Sequence, residues 1–289
     1  MAIASFSSSF PLDVERIIME MAAHDDKQMA LELVLVAKRI QAWWAIFYST
    51  AIFMNYIYRV EPIIYRRIYV DETKGHRLME SINTSPKPLS FYHDTIKRIH
   101  FDYSPAPIFD LKSTTEPKEH ILPNIYEALL PRCLGVTHIV SSYHPWEHIP
   151  QLARLFAEIH PERVSGFLND LLNPGHPDFT APFFSRITHL IIQDPSWYYW
   201  SGFDRLSHLT HISIPPFPFR KEITTDRFRV LVNTGITRIL SQCQKLQVLL
   251  IHRSDWSWSE PGNYLDVDDG RIVIFQKDHA SMFRDWNLC

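Results

Sequence analysis

Two groups of histidines have residue types and spacings that suggest metal chemistry. The first is His144-Pro145-Trp146-Glu147-His148, which matches the H-x-x-E-H arrangement of a zinc peptidase. That chemistry requires both histidines on one face of a regular helix, a glutamate as general base and a third ligand further along the chain. Pro145 is tolerated only in the first helical turn, so His144 would move to the cap position, out of line with His148. We therefore interpret the string as a chance match in a loop, and we predict no metal ligand and no catalytic residue in the chain.

The second group is a Thr-His pair that recurs three times. The pairs are Thr137-His138, Thr188-His189 and Thr210-His211, each inside a similar apolar string. Side chains alternate between the two faces of a strand, so the three histidines are able to line one face of a sheet. Such a ladder suits a pH-sensitive or metal-binding site. The interpretation that we favour is simpler: threonine suits strands, and histidine tolerates a half-buried surface.

Two aromatic loops are better candidates for a binding site. The segments Asp194–Trp200 and Asp255–Gly262 each follow the end of a predicted strand, so in a parallel array they emerge on the same edge. Trp and Tyr dominate the energetic hot spots of protein interfaces. The alternative is that these side chains cover the core under a long loop. The predicted partner-binding residues are Trp197, Tyr198, Tyr199, Trp200, Trp256 and Trp258.

Composition and the remaining motifs exclude several classes of function. The chain has 289 residues, 46% of them hydrophobic, and a net charge of −3, so no basic field points to nucleic acid or an anionic membrane. It has neither a glycine-rich phosphate loop nor a G-x-S-x-G elbow. Cys133, Cys243 and Cys289 lack metal or disulfide spacing, and the first ten residues do not have the pattern of a secretory signal. We expect a cytoplasmic or nuclear protein without a cofactor.

The elements that position these residues follow a repeated pattern, apolar-x-x-apolar-x-apolar, which is typical of the strands of leucine-rich repeats. Three copies contain the Thr-His pairs and begin at Val136, Ile187 and Leu209, and a weaker copy begins at Val164. The steps between these copies fall in the range of about 20–29 residues expected for such units. The pattern predicts that the copies form neighbouring parallel strands.

Two looser copies begin at Ile96 and Leu246, at steps too long for one repeat. Each long step contains a predicted helix, at residues 119–133 and 224–241, and a strand–helix–strand crossover of that length keeps the strands parallel. The alternative is a generic α/β domain with strands rich in Val and Ile.

Two amphipathic helices are predicted ahead of the repeats. Val14, Ile17, Ile18 and Met21 have the spacing of one helical face, and a second apolar run extends over residues 29–40. The alternative to any specialised role is that the two helices cap the end of a solenoid, because terminal repeats need caps.

These helices resemble a known motif. Pro11-Leu12-Asp13-Val14, followed by Ile17-Ile18 and Ala30–Lys38, is similar to the F-box-like motif that precedes repeats in many fungal proteins. The segment Val60–Val70 resembles the part of that family that joins the F-box to the repeats, and Asp269–Ile274 resembles its closing strand. The resemblance implies that the helices bind a Skp-type adaptor of a cullin ubiquitin ligase and that the repeats hold a protein substrate. The adaptor-binding residues that it implies are Pro11, Leu12, Val14, Ile17, Ile18, Leu33 and Val36.

The stretch from Ile40 to Tyr58 contains no charged residue and is rich in aromatic side chains. It has about the minimum length for a membrane span, but polar residues dilute it. A buried core helix and an insertion are the other interpretations. Deleting residues 44–59 joins Trp43 to Val60 and improves the match to the family, so a retained intron or late insertion would explain the segment.

We therefore predict an α/β protein in two parts. A small helical F-box-like unit occupies residues 8–70, and an irregular leucine-rich-repeat-like array with parallel strands occupies residues 71–289. The predicted function is non-enzymatic recognition of a protein substrate for a cullin-type ubiquitin ligase, with no nucleic acid partner and no membrane association. The alternatives are an interaction scaffold without a ligase link and a zinc hydrolase that uses His144, Glu147 and His148.

Overall fold

The computed structural model describes Pro62 and residues 65–70, 72–85, 87–101, 129–141, 156–168, 176–215, 225–253 and 265–276. Within them, eight strands form one sheet in which spatial order follows sequence order. Every pairing from the second strand to the eighth is parallel. The strands are β1 (Arg67–Val70), β2 (Arg98–Phe101), β3 (His138–Ser141), β4 (Arg163–Gly166), β5 (His189–Ile192), β6 (His211–Ile214), β7 (Val248–Arg253) and β8 (Ile272–Gln276). This order confirms the predicted α/β class with a repeat-like array of parallel strands.

Three α-helices accompany the sheet in the described part of the chain. They are α1 (Glu72–Thr84), α2 (Leu89–Thr95) and α3 (Thr225–Gln242). The last confirms the helix predicted at residues 224–241, and it connects β6 to β7 as a crossover that keeps them parallel. The described residues also contain short 3₁₀ helices, at Leu130–Arg132, Pro182–Phe184, Trp197–Tyr199 and Phe203–Arg205.

The chain divides into two compact units. The first comprises residues 1–68 with 94–96, and the second comprises residues 69–93 with 97–289. The predicted F-box-like helices, their seven adaptor-binding residues and the 44–59 segment lie outside the described residues. Within the described ranges, no helix is both long enough and apolar enough to cross a bilayer.

The apolar positions of the repeated pattern build the core. In each strand from β2 to β7 the second residue points toward the core, and in β7 this residue is Leu249, which pairs with Ile212. None of these side chains is more than 2% exposed. They are Ile99, Ile139, Val164, Leu190, Ile212 and Leu249. The apolar residue that opens each well-matched copy is also buried, so the pattern in the sequence reports burial on one side of the sheet.

The weakest copy has a different frame from the predicted one. Val164 pairs with Ile139 on one side and Leu190 on the other, and both partners are fourth residues of their copies. The copy therefore begins at Pro161, which is buried, and the prediction that it begins at Val164 is wrong. Proline fits this position because it precedes β4, where a missing N–H breaks no ladder hydrogen bond.

A line of phenylalanines packs the core across several repeats. Phe101 meets Phe156 with ring centroids 6.4 Å apart, and Phe156 meets Phe183 at 5.4 Å. Phe184 then contacts both Phe183 and Phe179 at 5.1 Å. All four contacts are edge-to-face, which is a favoured arrangement for aromatic pairs. This line gives neighbouring repeats specific contacts in addition to the sheet hydrogen bonds.

Candidate functional site

The first residues of five neighbouring strands form a continuous line of basic side chains. The strand register places them side by side on the face opposite the buried second residues, with strands about 4.7–4.9 Å apart. We call this line the basic row; it consists of Arg98, His138, Arg163, His189 and His211. The corresponding residue of β7 is Val248, so the row ends at β6.

A shallow, open depression lies over the middle of the basic row. Four members of the row line it, together with other residues of β3, β4 and β5. Its lining residues are Arg98, His138, Ile139, Val140, Arg163, Val164, Ser165, His189 and Ile191. None of these is acidic, so the described lining offers hydrogen-bond donors and apolar surface but no carboxylate.

A threonine fixes the tautomer of each histidine in the row. In β6, Thr210 Oγ1 lies 3.0 Å from the carbonyl oxygen of Thr188 and 2.8 Å from His211 Nδ1. A carbonyl oxygen only accepts, so the hydroxyl donates to it, and Nδ1 in turn donates to the hydroxyl oxygen. The neutral ring therefore carries its hydrogen on Nδ1 and presents Nε2 as an acceptor. The same pair of contacts occurs at the histidines of β3 and β5.

Two of the histidines are held in the neutral state. Burial, followed by the charge of Arg163 and repulsion from His211 when that ring is protonated, lowers the pKa of His189 to about 4. Burial and Arg163 also lower the pKa of His211. At neutral pH these imidazoles are therefore uncharged, while the guanidinium of Arg163 keeps its charge.

The ladder of histidines does not suit a metal ion. The rings of His189 and His211 are stacked, with centroids 4.4 Å apart and an angle of 1° between their planes. Zinc ligand nitrogens must converge on one point at about 2.0–2.1 Å, whereas the in-plane lone pairs of two parallel rings run side by side. Across the described residues, no group of three or more metal-ligating side chains is gathered. His144, Glu147 and His148 lie outside the described residues.

Ser165 adds a hydroxyl to the centre of the depression. It follows Arg163 by two residues in β4 and so lies on the same face. It is 6% exposed, and its Oγ has no hydrogen-bond partner in the described structure. Arg163 takes part in none of the ion pairs between described residues. The middle of the basic row thus combines a charged fork of donors with a buried hydroxyl.

The aromatic loop after β5 contributes two of its four predicted partner-binding residues to the core. Trp197 and Trp200 are each 1% exposed, so neither indole is available on the surface. Tyr198 is half-buried and Tyr199 is 54% exposed. The two tryptophans therefore cover the core, as in the alternative interpretation, and the prediction that they bind a partner at the surface is wrong. Partner binding by the two tyrosines stays a prediction, and Trp256 and Trp258 lie outside the described residues.

Helix α3 is the reason for this burial. A Cβ on Gly235 would lie 2.9 Å from Trp197 Cζ3 and 3.0 Å from Tyr198 Cα, so the missing side chain lets the loop press against the helix. Arg238 Nη1 donates to the carbonyl oxygen of Trp200 at 2.7 Å. An isolated glycine inside a predicted helix indicates such a close approach, and this signal was present in the sequence.

One serine–histidine pair and two cysteines of the described structure are buried. Ser213 Oγ lies 2.7 Å from His252 Nε2, but these residues are 0% and 2% exposed. A serine nucleophile must reach its substrate, so we interpret this contact as a link between β6 and β7. Burial also raises the pKa of the Cys133 and Cys243 thiols to about 12, which keeps both in the unreactive thiol form.

Comparisons with known proteins do not identify a family. No family model, no curated protein and no solved structure matches this chain.

Proposed function

We propose that this protein is a non-enzymatic substrate-recognition subunit of a cullin-type ubiquitin ligase, working in the cytoplasm or nucleus. In this proposal the F-box-like helices bind a Skp-type adaptor, and the irregular leucine-rich-repeat-like array binds a protein target. The observation that supports recognition most directly is the basic row with its depression, which lies on the face of the repeat-like sheet opposite the core.

A sheet of this kind suits recognition for a geometric reason. Each repeat contributes one side chain to every row, so neighbouring rows present a wide, regularly spaced surface to a partner. The depression crosses several strands and carries both donors and apolar side chains. Binding sites usually combine an apolar lining with a small number of polar groups that fix orientation.

The ligase link rests on the resemblance of the N-terminal helices, and co-purification tests it. We expect the full chain to recover a Skp-type adaptor, and we expect a variant with Leu33→Glu and Val36→Glu to lose it, because buried charges disrupt apolar docking. The matched control is Val230→Glu, at a position in α3 that is 64% exposed. The ligase link fails if the unaltered chain recovers no adaptor, or if the control loses it equally.

A chain lacking residues 44–59 tests whether that segment is an insertion. If the segment interrupts the F-box-like unit, its removal will increase the amount of adaptor recovered per folded molecule. If the segment is instead a core helix, its removal will abolish recovery and lower the thermal stability of the N-terminal unit.

A scaffold without a ligase link is the second candidate. The basic row supports this candidate as well, because partner recognition by the sheet does not depend on what the N-terminal helices bind. Recovery of protein partners that depends on Arg163, without a Skp-type adaptor, would support the scaffold over the ligase subunit.

A further inference from the structure

We propose that the centre of the basic row binds an acidic stretch of an extended polypeptide, with a carboxylate held between Arg163 and Ser165. This inference rests on the proposed recognition function, and it specifies the chemistry of the segment that the sheet recognises.

Arg163 supplies the charge complementarity. Its guanidinium is a planar fork of donors that matches the two oxygens of a carboxylate. It forms no ion pair with another described residue, and none of the residues lining the depression is acidic. The charge of Arg163 helps to lower the pKa of two histidines of the row, His189 on the adjacent strand and His211 one strand further. An anion at this position would remove that repulsion.

Ser165 is the second, independent observation. A buried polar group without a partner destabilises a fold, and buried hydroxyls are nearly always hydrogen-bonded. The Ser165 hydroxyl is buried at 6% exposure, has no partner in the described structure and lies in the lining of the depression. A carboxylate accepts several hydrogen bonds, so one group is able to take bonds from both the Arg163 fork and the Ser165 hydroxyl.

His211 indicates that the ligand is a polypeptide and not a small anion. It lies two strands from Arg163, which is a distance of about 10 Å, and its neutral ring presents Nε2 as an acceptor. An extended polypeptide rises about 3.3 Å per residue, so a backbone N–H three residues from the acidic side chain reaches that acceptor. A nucleic acid fits less well, because its phosphates call for a broad basic field and this chain has a net charge of −3.

Fluorescence anisotropy with labelled peptides tests the proposal on the full chain. The probes are a short Glu-rich peptide, the same peptide with Gln in place of Glu, and the same peptide with phosphoserine in place of Glu. We expect the Glu peptide to bind more tightly than the Gln peptide and to weaken as salt rises. We expect Arg163→Gln to weaken Glu-peptide binding by about 10- to 100-fold, as for loss of a charged hydrogen bond, and Ser165→Ala to weaken it by several-fold.

Arg205→Gln is the matched control, because it removes the same charge at an exposed side chain that pairs with Asp204. It should leave peptide affinity unchanged. Arg163→Lys keeps the charge but not the fork, and we expect it to lose at least several-fold in affinity. This second variant decides the matter if Arg163→Gln lowers the thermal unfolding midpoint.

Three outcomes would overturn the proposal: equal affinity for the Glu and Gln peptides, unchanged affinity in both Arg163 variants, or clearly tighter binding of the phosphoserine peptide. The last would assign the site to a phosphorylated segment. Adaptor co-purification separates this inference from the ligase proposal, because Arg163→Gln should leave it intact. If the unaltered chain recovers the adaptor but binds the Glu peptide no better than the Gln peptide, the inference alone is refuted. If the unaltered chain binds the Glu peptide but recovers no adaptor, the ligase link alone is refuted.

Discussion

Replacing Gly235 with alanine should destabilise the protein, although the same change in an ordinary helix is stabilising. Alanine is favoured over glycine by about 1 kcal/mol inside a helix. Here the new methyl group would lie 2.9 Å from the Trp197 ring and 3.0 Å from the Tyr198 Cα, and neither the indole nor the backbone is a flexible end that moves aside. Overpacking of this kind costs about 1–3 kcal/mol. We therefore expect a net loss of about 1 kcal/mol in the free energy of unfolding.

Equilibrium denaturation in urea measures this change, and Thr234→Ala is the matched control. Thr234 is the exposed neighbour in α3, so its replacement should gain up to about 0.5 kcal/mol from helix propensity alone. A double variant with Trp197→Phe should recover part of the Gly235→Ala loss, because the ring atom that meets the methyl group is removed. If Gly235→Ala stabilises as much as Thr234→Ala does, the close packing between α3 and the aromatic loop does not exist.

Three further predictions concern the sheet. Gly166→Ala should destabilise the protein by about 2–3 kcal/mol, because Gly166 has φ +151° and a Cβ there would lie 2.7 Å from the Ser141 carbonyl oxygen. A loss below about 1 kcal/mol in urea denaturation would contradict this prediction. Asp194→Ala should lose about 1.5–3 kcal/mol on the same assay, because it removes the buried carboxylate that accepts the Leu168 N–H at 2.5 Å, and Asp194→Asn should lose less. Between pH 6.5 and about 4 the unfolded chain protonates His189 and the folded chain does not, because folding lowers the pKa of this residue. The free energy of unfolding should therefore be unaffected by His189 above pH 6.5 and should decline as the pH falls toward 4. Because the ring is only half-buried, we expect a decline of about 1 kcal/mol relative to a His189→Asn chain, and an NMR titration of His189 with its midpoint near its usual pKa of 6.5 would refute the reasoning.

The strands were predictable because one side of the sheet is uniformly apolar. Val136, Ile187 and Leu209 open copies whose burial follows a fixed spacing, and they precede β3, β5 and β6 as neighbouring repeats with β4 in its expected place. The helix at residues 224–241 was predictable for a different reason, because the long step to Leu246 requires a crossover between parallel strands.

The candidate site was harder to predict, because its members differ in residue type. Comparing the copies by their Thr-His pairs finds three histidines but omits the arginines that occupy the same position in β2 and β4. Pro161 conceals the frame of β4, and a frame shift of three residues places Arg163 outside the copy altogether. For the aromatic loop the sequence leaves surface exposure and core burial both open, because the position of Trp197 depends on a contact with Gly235, which is distant in sequence.

The histidines explain how the fold tolerates arginines at the same position of its repeats. Like charges directly opposite each other on adjacent strands are destabilising. In the basic row His138 separates Arg98 from Arg163, so the strands that carry the two arginines lie about 10 Å apart. This distance is close to the Debye length at 0.1 M salt. On the other side of Arg163, neutral His189 adds no charge at pH 7. An anion that neutralises Arg163 removes one of the causes that lower the pKa of His189. Binding of an acidic segment should therefore be accompanied by proton uptake at His189. By linkage, the affinity of the row for acidic partners should rise as the pH falls.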